Sequence, residues 1–199
     1  AAALPLPALR PAGISPAARP RVRCYPVAWY VMLILSGAEV VLSGGLAGPS
    51  TVIVDDAHIV DIRPGRHRGA AADTCLDLDG HILVPGFVDV HVHGVEGCDA
   101  LDAGSAIARM AASLPRYGVT SFCPTTVACG PAALRHVFDQ VRRLRDAPAE
   151  RSARVLPAHL ESNFISDEYR GAQPRDMLRV PDGRPAPGFS VDDILAEIA

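Results

Sequence analysis

Lysine is missing from this chain of 199 residues, so all 19 of its basic side chains are arginine. That absence excludes a Schiff-base lysine and a carboxylated, metal-bridging lysine within the chain. Cysteine is sparse: Cys24, Cys75, Cys98, Cys123 and Cys129 form no CxxC pair. Their odd number and irregular spacing fit neither a disulfide framework nor a zinc knuckle, and reduced thiols in a cytoplasmic protein are the expectation. Long apolar runs are lacking as well. Val27 to Leu35 follows Arg19, Arg21 and Arg23 in the manner of a signal peptide, but it is too short to span a bilayer and no small-x-small cleavage site follows, so no membrane partner is expected. No basic patch stands out either. The one local cluster, Arg142, Arg143 and Arg145, lies on a segment whose apolar positions Leu134, Val137, Phe138, Val141 and Leu144 follow helical spacing, which makes it a solvated helix face and argues against nucleic acid. A starting Met is also absent. Residues 1–31 are rich in Ala, Pro and Arg without periodicity, which reads as a disordered leader or a mistaken N-terminal extension ahead of a natural start at Met32.

What is present is globular in character: 49% hydrophobic residues and a formal net charge of −3. This is enough for one good core, or for a small domain plus part of another. From Met32 the chain falls into short β-rich segments at 32–35, 39–42, 51–54, 58–62 and 81–84, separated by Gly, Asp and Pro turns, and a small β-sandwich domain is expected over 32–84. After Pro85 the rhythm changes to strand and helix. Strands are predicted at 87–93, 121–127 and 155–161, with helices near 105–117 and 132–145. The strand ends His93, Val127 and Glu161 recur at about 34 residues, close to the ~31 of a barrel that packs eight strand–helix units into about 250 residues. Residues 85–199 then supply the first three units of an α/β, (β/α)8 TIM barrel, too few to close it.

The segment Pro85-Gly86-Phe87-Val88-Asp89-Val90-His91-Val92-His93-Gly94 carries the clearest chemistry. Side chains alternate along a strand, so His91 and His93 point the same way from its carboxyl end, as two ligands of one metal would. If they end the first barrel strand, Glu161 ends the third, and strand carboxyl ends in this fold converge on one face. Two imidazoles and a carboxylate make a partial shell for a divalent metal such as Zn or Fe, with one or two ions, and point to a metal-dependent hydrolase. His159 shares the face of Glu161 and reads as a hydrogen-bonding neighbour, as does Asp89 below the histidines. Cys98, Asp99 and Asp102 fall in the loop that follows, where gating or helix capping is the expected use.

These residues resemble a known family. Pro85 to Gly94 is similar to the first-strand signature of the amidohydrolase superfamily. His159-Leu160-Glu161-Ser162-Asn163-Phe164, with Tyr169-Arg170-Gly171-Ala172-Gln173, resembles the third-strand motif of N-acetylglucosamine-6-phosphate deacetylases. Tyr117 to Phe122 and Pro124-Thr125-Thr126 look like the family's second strand. The resemblance implies that Glu161 takes the bridging position held elsewhere by a lysine, with His91 and His93 as further ligands, and that Ala172, through main-chain groups, and Gln173 lie beside the sugar. Two departures stand out: Ser162-Asn163 replaces Gly-Pro, and Gln173 replaces a histidine. The implied activity is metal-dependent hydrolysis of the acetamide of N-acetylglucosamine 6-phosphate to glucosamine 6-phosphate and acetate, by a cytoplasmic parent that is a homodimer. The family's proton-handling aspartate would lie beyond residue 199, so no catalytic residue is assigned here and the fragment alone is expected to be inactive. Two other readings stand beside this one. One is another amidohydrolase, a cyclic-amide hydrolase or a deaminase; the other is a non-catalytic fragment of the same fold.

Overall fold

The computed structural model describes residues 31–180 and 187–199. The leader expected over residues 1–31 lies outside them apart from Val31, as does Cys24. The chain divides into two compact units between Leu83 and Val84.

The first unit is built on β1 (Leu33–Leu42), which pairs antiparallel with β2 (Gly45–Asp55), itself paired antiparallel with β3 (His58–Pro64). On its other edge β1 runs parallel to β4 (Thr74–Asp77) and then to β5 (Ile82–Leu83). The segments expected at 32–35 and 39–42 are one strand, because Gly37, at φ 91°, lets the chain bulge between Ser36 and Ala38 without leaving the sheet. β4 was not foreseen; all four of its residues are exposed and give no apolar alternation. Ala38, Val40 and Val52 form the core, backed by Leu35, Val54, Leu78 and Leu83. The fully buried Thr51 donates its hydroxyl to the Gly65 carbonyl (2.8 Å) and accepts the His67 N–H (3.0 Å), which ties down the chain leaving β3. The described residues of this unit make one five-stranded sheet.

In the second unit β6 (Phe87–Val92) leads through a short antiparallel hairpin, β7 (Gly94–Val95) and β8 (Cys98–Asp99), into α1 (Ala106–Ser113) and a 3-10 turn at Leu114–Tyr117. β9 (Val119–Thr126) and α2 (Pro131–Asp146) follow, then β10 (Arg154–Val155), β11 (His159–Leu160) and α3 (Val191–Ile198). β9 is central, parallel to β6 on one side and to both β10 and β11 on the other. Helices between parallel neighbours make this mixed α/β architecture. The strand expected over 155–161 is split because Pro157 has no N–H for the ladder. Gly118, at φ 76°, ends the 3-10 turn in the left-handed conformation and launches β9.

Packing follows the helical repeat. Ile107, Met110, Ala111 and Leu114 sit at i, i+3, i+4 and i+7 and close over Phe122 of β9, joined by Val137 and Val141 of α2. Burying each of the larger side chains among these is worth about 1.5–3 kcal/mol. A second cluster of Cys129, Leu134 and Ile194 seats α3 on α2. No described helix is long and apolar enough to cross a membrane. Three strand positions do not close a barrel, and Phe87, Val88 and Val90 of β6 stay exposed.

Candidate metal centre

The alternation along β6 brings His91 and His93 to one side, and Glu161 meets them from the residue after β11. His91 Nε2 and His93 Nε2 are 3.2 Å apart. The Glu161 carboxylate lies 3.0 Å from His93 Nε2 and 3.8 Å from His91 Nε2. Among the described residues this is the one group of three or more His, Cys, Asp or Glu whose donor atoms all converge, within 4.8 Å of one another. The three side chains keep 33–47% exposure, so a small molecule can reach them. Gly94 makes the local fold possible: a Cβ there would overlap the Cys98 carbonyl across the hairpin. The returning chain then donates the Ala100 N–H to the His93 carbonyl at 2.7 Å.

The end of β9 is the frame on which these groups hang. The Thr125 side chain is fully buried; its hydroxyl accepts the Val92 N–H (2.9 Å) and donates to the Cys123 carbonyl (3.1 Å). That insertion coincides with the register shift between Asp89 and Val92. The Thr125 carbonyl accepts the Nδ1–H of His93 at 3.2 Å, and the Thr126 carbonyl accepts the Glu161 N–H at 3.2 Å. One strand end therefore orients a histidine on one side and the carboxylate on the other. Asp89 accepts the His91 N–H (3.0 Å). His159 donates its Nδ1–H to the Val90 carbonyl (2.8 Å) and sets its ring edge-on to His91, with centroids 4.8 Å apart.

The donor set fits a divalent cation. With its Nδ1–H donated to the Thr125 carbonyl, His93 presents Nε2 to the carboxylate oxygen, the edge through which a neutral imidazole would bind a cation shared with Glu161. Separations of 3.0, 3.2 and 3.8 Å bracket the ~3.3 Å expected between tetrahedral ligands at Zn–N distances of about 2.0–2.1 Å.

Ala172 and Gln173 are placed differently. Ala172 is exposed on the turn opened by Gly171 at φ 58°. Gln173 is buried, its Oε1 accepting the Ala128 N–H at 2.6 Å. Neither belongs to the ligand cluster. Cys98 is buried and free, with Sγ 3.4 Å from the Ala106 carbonyl. Asp99 and Asp102 hold their own loop: Asp102 accepts the Asp99 N–H and Asp99 accepts the Leu101 N–H. Thr125, read in the sequence only as part of a second-strand motif, is the neighbour whose role as a frame for the donors was missed.

No family model matches the chain. Curated relatives do. It is 44% identical over 112 residues to N-acetylglucosamine-6-phosphate deacetylase of Rattus norvegicus, covering 54% of this chain and 27% of that one. It is 35% identical over 153 residues to that of Bacillus subtilis (strain 168), covering 75% of this chain and 39% of that one. Over these stretches the chain is similar to the N-acetylglucosamine-6-phosphate deacetylase family. The Thermotoga maritima deacetylase superposes with a TM-score of 0.62 at 26% identity, over 82% of this chain and 39% of that one. A variant of the Mycobacterium smegmatis deacetylase, solved in complex with N-acetyl-D-glucosamine-6-phosphate, superposes with a TM-score of 0.59 at 26% identity, over 84% of this chain and 40% of that one. The chain thus spans between 27% and 39% of the length of these two curated deacetylases.

Proposed function

We propose that the protein to which this chain belongs hydrolyses the acetamide of N-acetylglucosamine 6-phosphate, giving glucosamine 6-phosphate and acetate. The observation that carries the reading is the convergence of His91, His93 and Glu161 on one open face in a chain similar to this family. These three residues would hold a divalent cation, Zn or Fe, as one or two ions. A cation held there would supply Lewis-acid polarisation of the acetamide carbonyl and a water of lowered pKa. The chain's own part is to present the donors: the Thr125 carbonyl keeps the proton of His93 on Nδ1, and Thr126 fixes the main chain of Glu161.

The wider reading is a (β/α)8 barrel whose first three strand–helix units are residues 85–199, preceded by a small β-sandwich domain at 32–84. The exposed apolar side chains of β6 support further strands packing there. Ala172 and Gln173 lie on the sugar side of the site in this reading. The aspartate that handles protons belongs to chain outside these residues, and the whole protein is a cytoplasmic homodimer.

Acetate release from N-acetylglucosamine 6-phosphate by the whole protein tests this. Turnover should require added Zn or Fe and should fall to background in Glu161→Gln. Turnover that persists after chelation and in Glu161→Gln would sink it.

A further inference from the structure

Glu161 follows a strand of two residues, His159–Leu160, too short to hold a carboxylate in place unaided. The chain beyond it returns to the end of β9 and grips it through two buried amide side chains. Asn163 is 4% exposed, and its Nδ2 donates to the Cys129 carbonyl and to the Met177 carbonyl, both at 2.8 Å. Its own carbonyl accepts the Arg179 N–H at 2.8 Å. Gln173, also 4% exposed, accepts the Ala128 N–H on Oε1 at 2.6 Å. The Gln173 main chain is closed into a turn by Arg170, which accepts its N–H (3.0 Å) and donates a guanidinium N–H to its carbonyl (2.9 Å).

The peptide groups of Ala128 and Cys129 are themselves nearly inaccessible, so each needs a partner within the protein. One amide supplies the acceptor and the other the donor. Asn suits position 163 because its two N–H groups can serve two carbonyls at once. Glu161 is then tied on both sides: its N–H to Thr126, and Asn163 two residues further on to Cys129. The apolar cluster of Cys129, Leu134 and Ile194, with Leu160 and Phe164, backs the same contact.

We propose that Asn163 and Gln173 form an amide latch between the 126–129 segment and the chain after Glu161, and that the latch sets the affinity of the site for its cation by fixing the Glu161 carboxylate against His93. They are positioning residues, not ligands. The inference rests on the metal reading above and deepens it.

Zinc titration of the full chain, in competition with a chelating dye, tests it. Asn163→Leu and Gln173→Met keep side-chain bulk and remove the hydrogen bonds; each should weaken zinc binding about 10- to 100-fold. The double variant should lose less than the product of the two, because both act through one segment. Val137→Ala, which opens space in the other core cluster, should lower the thermal midpoint and leave zinc affinity unchanged. Latch variants that bind zinc as tightly as wild type, or an equal loss in Val137→Ala, would overturn the proposal. If Asn163→Leu does not fold, Gln173→Met carries the comparison. Failure of the wild-type chain to bind zinc would overturn the metal reading instead. Amide exchange without zinc then judges the latch: faster exchange at residues 126–129 and 161–163 in Gln173→Met supports it, and unchanged exchange refutes it.

Discussion

Glu161 supplies the single carboxylate among the three converging donors, and this gives it the largest expected effect of any single residue. Glu161→Gln keeps the shape and removes the charge. It should cost more zinc affinity than the ~10–100-fold typical of groups that merely orient a ligand, measured by dye competition at fixed pH. Thr125→Val separates the frame from the donors. It strips the partner from the Val92 N–H and from the Cys123 carbonyl, and each unmet buried group costs about 1–3 kcal/mol. Urea denaturation should show that loss even without metal. The three donors were legible in the sequence because strand alternation and the ~34-residue recurrence of strand ends are one-dimensional properties. Thr125 was not, because its part depends on a break in register between β6 and β9 that spacing along one strand does not encode. Gln173 was expected beside the sugar from its place in a motif; that its Oε1 accepts the Ala128 N–H is a separate property, which depends on how a distant loop returns.

Among the elements, periodicity identified what it could and local chemistry altered the rest. α1 and α2 have clear apolar stripes and lie close to their expected positions. The third strand was expected whole and is broken by Pro157, whose missing N–H outweighs the strand propensity around it. α3 went unforeseen, although its start is written plainly: Ser190 caps the Asp193 N–H and Asp193 returns to the Ser190 N–H, a complete capping box. Ser190→Ala should therefore cost about 1 kcal/mol in thermal or urea unfolding. The hairpin after β6 offers a second test. Glu96, in the left-handed region at φ 51°, accepts the Ser113 hydroxyl (3.0 Å), the Tyr117 hydroxyl (3.1 Å) and an Arg116 N–H (3.1 Å). The Ser113 bond, then that of Tyr117, hold its carboxyl below the ordinary value of 4.5. Folding thus favours the ionised form. The stabilisation is fully present above pH 4.5 and is lost as pH falls through the lower, folded-state value. Thermal midpoints of wild type and Glu96→Gln should differ at neutral pH and converge in acid; a constant gap across that range would contradict this.

At the scale of the whole molecule, holding a cation and turning over substrate need different amounts of protein. The three donors proposed to hold a cation all reside in the second unit, framed by β9. Amide hydrolysis asks for more, since the departing amine must receive a proton from a positioned acid, and the described cluster holds only two imidazoles and one carboxylate, all converging on one point. Beside them Phe87, Val88 and Val90 are 57%, 57% and 61% exposed on β6, apolar surface that a finished barrel would cover. The 199-residue polypeptide should accordingly bind zinc through His91, His93 and Glu161 and yet release little or no acetate from N-acetylglucosamine 6-phosphate. Zinc affinity and acetate release measured on the same preparation separate the two properties. Substantial turnover by this polypeptide, abolished by His91→Ala or Glu161→Ala, would show that the acid is already within these residues and that the open sheet suffices for catalysis.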